Sequence, residues 1–125
     1  MNNRHILVID DEDAVRKIIC DNLKFAGFSV TGIADGQQGL EAVNANPPAI
    51  VITDIIMPGI SGLDVISEIR RTHPHIRLIA ISGGGRVKEA DDLLEKAGKL
   101  GADIVLSKPL DIDALENIIG RLLEE

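Results

Sequence analysis

Residues 49–54 read Ala49-Ile50-Val51-Ile52-Thr53-Asp54. A short apolar run rich in β-branched residues ends on a hydroxyl and a carboxylate. Four consecutive apolar positions suit a strand buried on both faces, as in a parallel sheet. Three further runs have the same character: Ile6-Leu7-Val8-Ile9, Leu78-Ile79-Ala80-Ile81 and Ile104-Val105-Leu106. Each is followed by polar or turn residues. A weaker segment, Ser29-Val30-Thr31-Gly32-Ile33, alternates apolar and polar, which predicts a half-exposed edge strand. Between the runs the period becomes helical. Val15, Ile18, Ile19, Leu23 and Ala26 fall on one helix face. So do Val87, Ala90, Leu93, Leu94 and Ala97, and again Leu115, Ile118, Ile119 and Leu122. Segments 36–45 and 62–72 are helical in character, with Gly27 and Pro47-Pro48 as stop signals. Strand then helix, five times over, predicts an α/β domain with a parallel sheet and right-handed crossovers. The segments share no sequence motif, and no linker divides the chain.

The composition narrows the partners. The chain has 125 residues, the size of one domain. Twenty acidic residues against 13 basic ones leave a net charge of −7. Phosphate would repel such a surface, so neither direct nucleic acid binding nor binding to anionic lipid is expected. The aromatics are Phe25 and Phe28, too few for base stacking. Cys20 is the single cysteine, so no internal disulfide can form. The apolar runs are far shorter than the roughly 20 residues of a membrane helix. Met1-Asn2-Asn3-Arg4-His5 runs into the first strand without the parts of a signal peptide. The expectation is a cytoplasmic protein with no membrane attachment.

In an open parallel sheet, ligands bind beyond the carboxyl ends of the strands. Asp10 and Asp11 follow the first strand, Asp54 the third, Ser82 the fourth, and Lys108 and Pro109 the fifth. Each has an ordinary reading alone. An Asp at a strand-to-helix junction is commonly an N-cap, and Asp11-Glu12-Asp13 suits a helix N-terminus electrostatically. The combination asks for more. Three carboxylates at one edge repel each other unless a cation or protons sit among them. Hard oxygen ligands with a water-filled side suit Mg²⁺ or Mn²⁺. A nearby lysine and hydroxyl supply donors for a phosphoryl group. Metal, nucleophile and charge neutralisation together are the parts of phosphoryl transfer to a carboxylate.

These residues resemble the receiver domain of bacterial two-component response regulators over essentially the whole chain. The resemblance rests on Val8-Ile9-Asp10-Asp11-Glu12, on Thr53-Asp54-Ile55-Ile56-Met57-Pro58-Gly59-Ile60-Ser61-Gly62, on Ile81-Ser82-Gly83 and on Ser107-Lys108-Pro109-Leu110. It implies a flavodoxin-like (βα)5 three-layer sandwich with sheet order 2-1-3-4-5. It implies Asp54 as the phosphoacceptor. Asp10, Asp11, Asp54 and the backbone carbonyl of Ile56 would hold the Mg²⁺. Ser82 would be the switch hydroxyl, Lys108 would contact the phosphoryl group, and the Lys108–Pro109 bond would be cis. The phosphodonor would be a sensor histidine kinase or a histidine phosphotransfer protein, and the output would pass to a downstream protein target. A weak homodimer through the last two helices and the last strand is also expected. The chain closes on Leu122-Leu123-Glu124-Glu125, so a single receiver domain over 1–125 without an output domain is expected.

Several positions depart from the family pattern. Members commonly carry an aromatic residue three positions before the lysine, where this chain has Val105. Ser82 and Lys108 are 26 positions apart, about one helical turn more than in a typical member. Ile56 and Gly84, two after the acceptor and two after Ser82, have no side chain that holds a hydrolytic water. With Gly83-Gly84-Gly85 after the serine, residues 83–89 are expected to be mobile before phosphorylation and ordered by it. Cys20 reads as a small buried helix residue, and His5, His73 and His75 as surface. Two rivals share part of the pattern. An aspartate-nucleophile phosphatase wants an acid two residues after the nucleophile, where Ile56 stands. A flavodoxin-like cofactor binder would set these carboxylates against a flavin phosphate.

Overall fold

The computed structural model describes residues 4–82 and 87–124, with the backbone alone at 87–91, 93 and 94. Ten elements alternate without exception. They are β1 (His5–Ile9), α1 (Asp13–Phe25), β2 (Ser29–Ile33), α2 (Gly36–Ala45) and β3 (Ile50–Asp54), then α3 (Gly62–Thr72), β4 (Arg77–Ser82), α4 (Val87–Leu100), β5 (Ile104–Ser107) and α5 (Ile112–Glu124). All strand pairs are parallel and the sheet order is β2-β1-β3-β4-β5. The expected mobility of residues 83–89 falls largely on positions outside the described residues.

The period of two along each strand sorts the core into two halves. Ile6, Val8, Ile50, Ile52, Ile79 and Ile81 face α1 and α5, where Ile19, Leu23, Leu115 and Ile119 meet them. Leu7, Ile9, Val51, Leu78 and Ala80 face the other way, onto Val43, Val65, Ile66, Ile69 and Ala97 of α2, α3 and α4. Two apolar faces explain why β1, β3 and β4 read as unbroken apolar runs. Each fully buried Ile or Leu contributes about 1.5–3 kcal/mol.

Two expectations are corrected here. Ile104-Val105-Leu106 suits a strand buried on both faces, but the residues of β5, the edge strand that the order 2-1-3-4-5 implies, alternate between half-buried and exposed. On α1, Ile19, Cys20 and Leu23 are buried, whereas Ile18 is 54% exposed and Ala26 is an exposed C-cap. Successive helical residues lie about 100° apart, so Ile18 and Ile19 cannot both face the centre of the sheet. His5 is also less free than expected. It is half-buried, and its two ring nitrogens meet Ser29 Oγ at 2.7 Å and Thr31 Oγ1 at 2.8 Å.

Helix starts are set by local chemistry. Asp35 caps α2 by accepting from Gln38 N–H at 2.8 Å, and Ser61 caps α3 by accepting from Asp64 N–H at 3.3 Å. At the opposite edge of the sheet, Arg70 ties α3 to the α4–β5 turn. Its guanidinium donates to the carbonyls of Gly101, Pro74 and Ile76 and to Asp103. Gly101 has φ +123°, the left-handed region that only glycine enters cheaply.

Candidate functional site

The register lines up the strand ends that carry polar side chains. Ile9 lies opposite Thr53, Asp54 opposite Ile81, and Ser82 opposite Ser107. Asp10, Asp54, Ser82 and Lys108 therefore emerge side by side at one edge. Asp10 and Asp54 are 2% and 5% exposed, and Ser82 is fully buried. The Lys108 amide donates to the Ser82 carbonyl at 2.9 Å, and the Lys108–Pro109 bond is cis as expected.

The lysine ammonium is the hub of the site. Lys108 Nζ donates to Asp54 Oδ2 at 3.2 Å and to Glu12 Oε1 at 3.2 Å, and lies 3.7 Å from Asp10 Oδ2. Asp10 is held from several sides. Its Oδ1 accepts from the Glu12 amide at 2.9 Å, its carbonyl accepts from Arg16 Nη1 at 2.8 Å, and its amide donates to the Ile33 carbonyl at 3.1 Å. The Asp54 backbone is held from its neighbours as well. The Thr53 hydroxyl donates to the Asp54 carbonyl at 2.9 Å, and the Gly62 amide donates to the adjoining Ile55 carbonyl at 2.8 Å.

Among the described residues, carboxylate oxygens of Asp10, Glu12 and Asp54 lie within 4.8 Å of one another. This trio differs from the expected set by one member. Asp11 is half-buried and close enough for its charge to act on Asp54, but it stands outside the trio. Glu12 takes its place. The sequence reading assigned Glu12 only to the electrostatics of the helix start. The available signal was its N-cap position, where a long side chain caps poorly and is left free to reach elsewhere.

Burial is the first cause that pushes the Asp10 and Asp54 carboxyls above the ordinary aspartate range. Their mutual repulsion adds to it for Asp10, and the Asp11 charge adds to it for Asp54. Lys108 acts against both shifts. Burial by itself would lower the Lys108 pKa, but Asp54 and Asp10 more than offset this and raise it, so the ammonium stays charged. The Ser82 hydroxyl has no hydrogen-bond partner among the described residues. A buried hydroxyl without a partner costs free energy, and at this strand end it is a donor with an acceptor to find.

The raised carboxyls fix a pH dependence. An acid whose pKa is raised on folding binds its proton more tightly in the native state. Its contribution to stability is therefore present below the unfolded pKa and is lost as pH rises through the folded one. At pH 7 the ionised Asp10 is a burden on the metal-free fold. Asp10→Asn keeps an oxygen for the Glu12 amide and removes the charge. The metal-free variant should melt above the parent at pH 7, with the difference shrinking as pH falls towards the ordinary aspartate range. A difference of the same size at pH 7 and pH 3.5, followed by circular dichroism, would count against this account.

Ile56 is exposed and Val105, on the outer edge strand, is 39% exposed, so neither supplies a ring or a polar group to the site. Cys20 is buried, as expected. No described helix is long and apolar enough to cross a membrane.

Comparison with known proteins places this geometry in context. A family model described as the response regulator receiver domain matches residues 6–120. The chain is 34% identical over 126 residues to a putative NtrX-like response regulator of Rickettsia typhi, an alignment that takes in 99% of this chain and 26% of that protein. It is 27% identical to sporulation initiation phosphotransferase F of Bacillus subtilis, over 98% of this chain and 96% of that one. The chain thus spans about a quarter of the length of the NtrX-like relatives it matches. Among solved structures, the receiver domain of NtrX from Brucella abortus superposes with a TM-score of 0.85 at 31% identity, covering 95% of this chain and 98% of that one.

Proposed function

The chain belongs to the response regulator receiver domain family, and from that membership we propose that it is switched by a phosphoryl group carried on Asp54. The observation that supports this most directly is the Lys108 ammonium 3.2 Å from Asp54 Oδ2, at the end of a central strand and among further carboxylates. An Asp54 carboxylate oxygen attacks the phosphorus of a phosphohistidine. The O–P bond forms as the N–P bond breaks, and the imidazole leaves with a proton. Of the two buried acids, Asp54 is the one that the Lys108 ammonium hydrogen-bonds, whereas Asp10 lies 3.7 Å from it. Lys108 and the Ser82 hydroxyl then donate to the phosphoryl oxygens. Water resets the switch by attacking the phosphorus of the acyl phosphate: the bond to Asp54 breaks, and the carboxylate and inorganic phosphate result.

The all-oxygen donor set fits a hard divalent cation, Mg²⁺ or Mn²⁺. Asp10 and Asp54 would hold it, with Asp11 and the Ile56 carbonyl as further ligands, and the ion would neutralise charge on the transferring group. Incubation with phosphoramidate and Mg²⁺ tests the reading. One phosphoryl group per chain, released by hydroxylamine, is expected from an acyl phosphate. No incorporation, or a hydroxylamine-stable ester, would overturn it.

The donor is read as a sensor histidine kinase or a phosphotransfer protein. Whatever carries the phosphohistidine to Asp54 must lie against the rim beside Lys108. That rim is an apolar groove lined by Val15, Ile18, Pro109, Leu110 and Ile112. Ile18→Lys should slow transfer from the cognate phosphohistidine protein by about tenfold or more, the cost of burying an unpaired charge. Labelling by phosphoramidate should not change. Equal slowing with both donors would move the effect from docking to the site itself. On the other side, Leu100 and Val105 are part-exposed near α4 and β5. There a downstream target or a weak homodimer would read the switched state.

A further inference from the structure

The geometry points to Glu12 as a competitor for the Lys108 ammonium, whose hold on it weakens the grip of Lys108 on a phosphoryl group carried by Asp54. This inference rests on the reading of Asp54 as acceptor and adds a positioning residue to it.

An ammonium has three N–H donors. In this structure three carboxylates surround Lys108 Nζ: Asp54 at 3.2 Å, Glu12 at 3.2 Å and Asp10 at 3.7 Å. Two of the donors are hydrogen-bonded, to Asp54 and to Glu12, and Asp10 lies beyond hydrogen-bond distance. A phosphoryl group on Asp54 takes over that carboxylate's charge and brings acceptor oxygens that compete with Glu12 for the ammonium. The Asp10 side chain is 2% exposed, so unpairing it would strand a buried charge. The Glu12 side chain is 59% exposed, and water takes over its hydrogen bonds at little cost. Glu12 is therefore the partner most readily displaced.

A second observation shows that the Glu12 side chain is committed to the lysine. Glu12 is the N-cap of α1, yet its side chain makes no cap hydrogen bond. Its oxygen reaches instead across the site to a residue 96 positions away. The Glu12 amide also donates to Asp10 Oδ1, so the same residue orients one buried acid through its backbone and restrains the lysine through its side chain.

The experiment uses the full chain with Mg²⁺ and beryllofluoride, a non-covalent stand-in for the phosphoryl group on a carboxylate, followed by titration calorimetry. Two variants separate reach from charge. Glu12→Gln removes the charge. Glu12→Asp keeps the charge but is one methylene shorter and prefers to cap the helix. If competition for Lys108 is the cause, both variants bind beryllofluoride about two- to fivefold more tightly at saturating Mg²⁺, the worth of one partly exposed ion pair. The Mg²⁺ affinity in the absence of beryllofluoride should fall for Glu12→Gln alone, because only that variant loses negative charge beside the metal site. A merely structural role would not produce these opposite signs. Tighter beryllofluoride binding by Glu12→Gln but not by Glu12→Asp would assign the effect to charge repulsion and overturn the inference. So would unchanged affinity in both variants. Failure of the parent itself to bind beryllofluoride would instead bring down the Asp54 reading, and this inference with it.

Discussion

Asp54→Asn should reduce phosphoryl incorporation from small donors by at least about 100-fold, because an amide is no nucleophile and the other acids are not placed to replace it. Asp54 is the last residue of β3, a central strand, and Lys108 holds its Oδ2. Asp10 follows the neighbouring strand and lies 3.7 Å from the Lys108 ammonium, beyond hydrogen-bond distance, and Glu12 stands on the exposed rim. The substitution is nearly isosteric and leaves the fold intact, so a loss of labelling reports on chemistry. Intact-mass measurement after incubation with phosphoramidate and Mg²⁺ checks it. Undiminished labelling in the Asn variant would move the acceptor to another residue. Mg²⁺ affinity should also fall, since Asp54 is one of the three acids of the trio.

Gly62→Ala should have the largest effect on stability. Gly62 opens α3, and a Cβ there would run into the Asp54 carbonyl oxygen and come within 2.6 Å of Ile55 Cα. Both obstacles are backbone atoms at the end of a central strand, so neither can turn aside. Either α3 moves away from β3, breaking the Gly62–Ile55 hydrogen bond and opening the contacts of Val65, Ile66 and Ile69, or the end of β3 shifts and carries Asp54 with it. A cost of about 3 kcal/mol or more is expected, roughly a 10 °C fall in melting temperature. Gly120→Ala is the control. Gly120 lies inside α5 with nothing within 4 Å of an added Cβ, so alanine there should stabilise by about 0.5–1 kcal/mol through helix propensity. A Gly62→Ala protein that melts within 2 °C of the parent would show that the α3–β3 contact is less tight than described.

These two glycines illustrate how differently local and tertiary information enter. Both occupy helical segments, and in sequence nothing distinguishes them except that Gly62 follows the turn after Asp54. Their opposite expected effects come from what each faces, which is a property of the folded chain.

The polar site was mostly legible in advance because it hangs on strand ends. Once four apolar runs are taken as parallel strands, the residues just after them must share an edge, and Asp10, Asp54, Ser82 and Lys108 do so. Glu12 was not legible as a member of the cluster. Asp11 and Glu12 are adjacent carboxylates in a β–α turn, and which of them comes within 4.8 Å of both Asp10 and Asp54 depends on how α1 departs from β1. The Arg70 link to Gly101 and Asp103 was equally hidden, since its partners lie 31 and 33 positions away.

The amino-acid sequence by itself determined the alternation of strands and helices and the bounds of β2, α2 and α3. Hydrophobic period, glycine and proline are local, and they act within a few residues of chain. It also determined that β1, β3 and β4 are buried on both faces, because a strand covered on one side only would alternate as β2 does. The same logic overstated the burial of β5. Ile104-Val105-Leu106 is as apolar as a central strand, and nothing within it says whether a neighbour lies on one side or two. Strand order decided that by leaving β5 with β4 as its single partner. The groove at Ile18 and the sharing of Lys108 among three acids were likewise decided by tertiary structure alone. Each depends on the distance between segments far apart in the chain, and the long-range packing of the sheet and helices sets that distance.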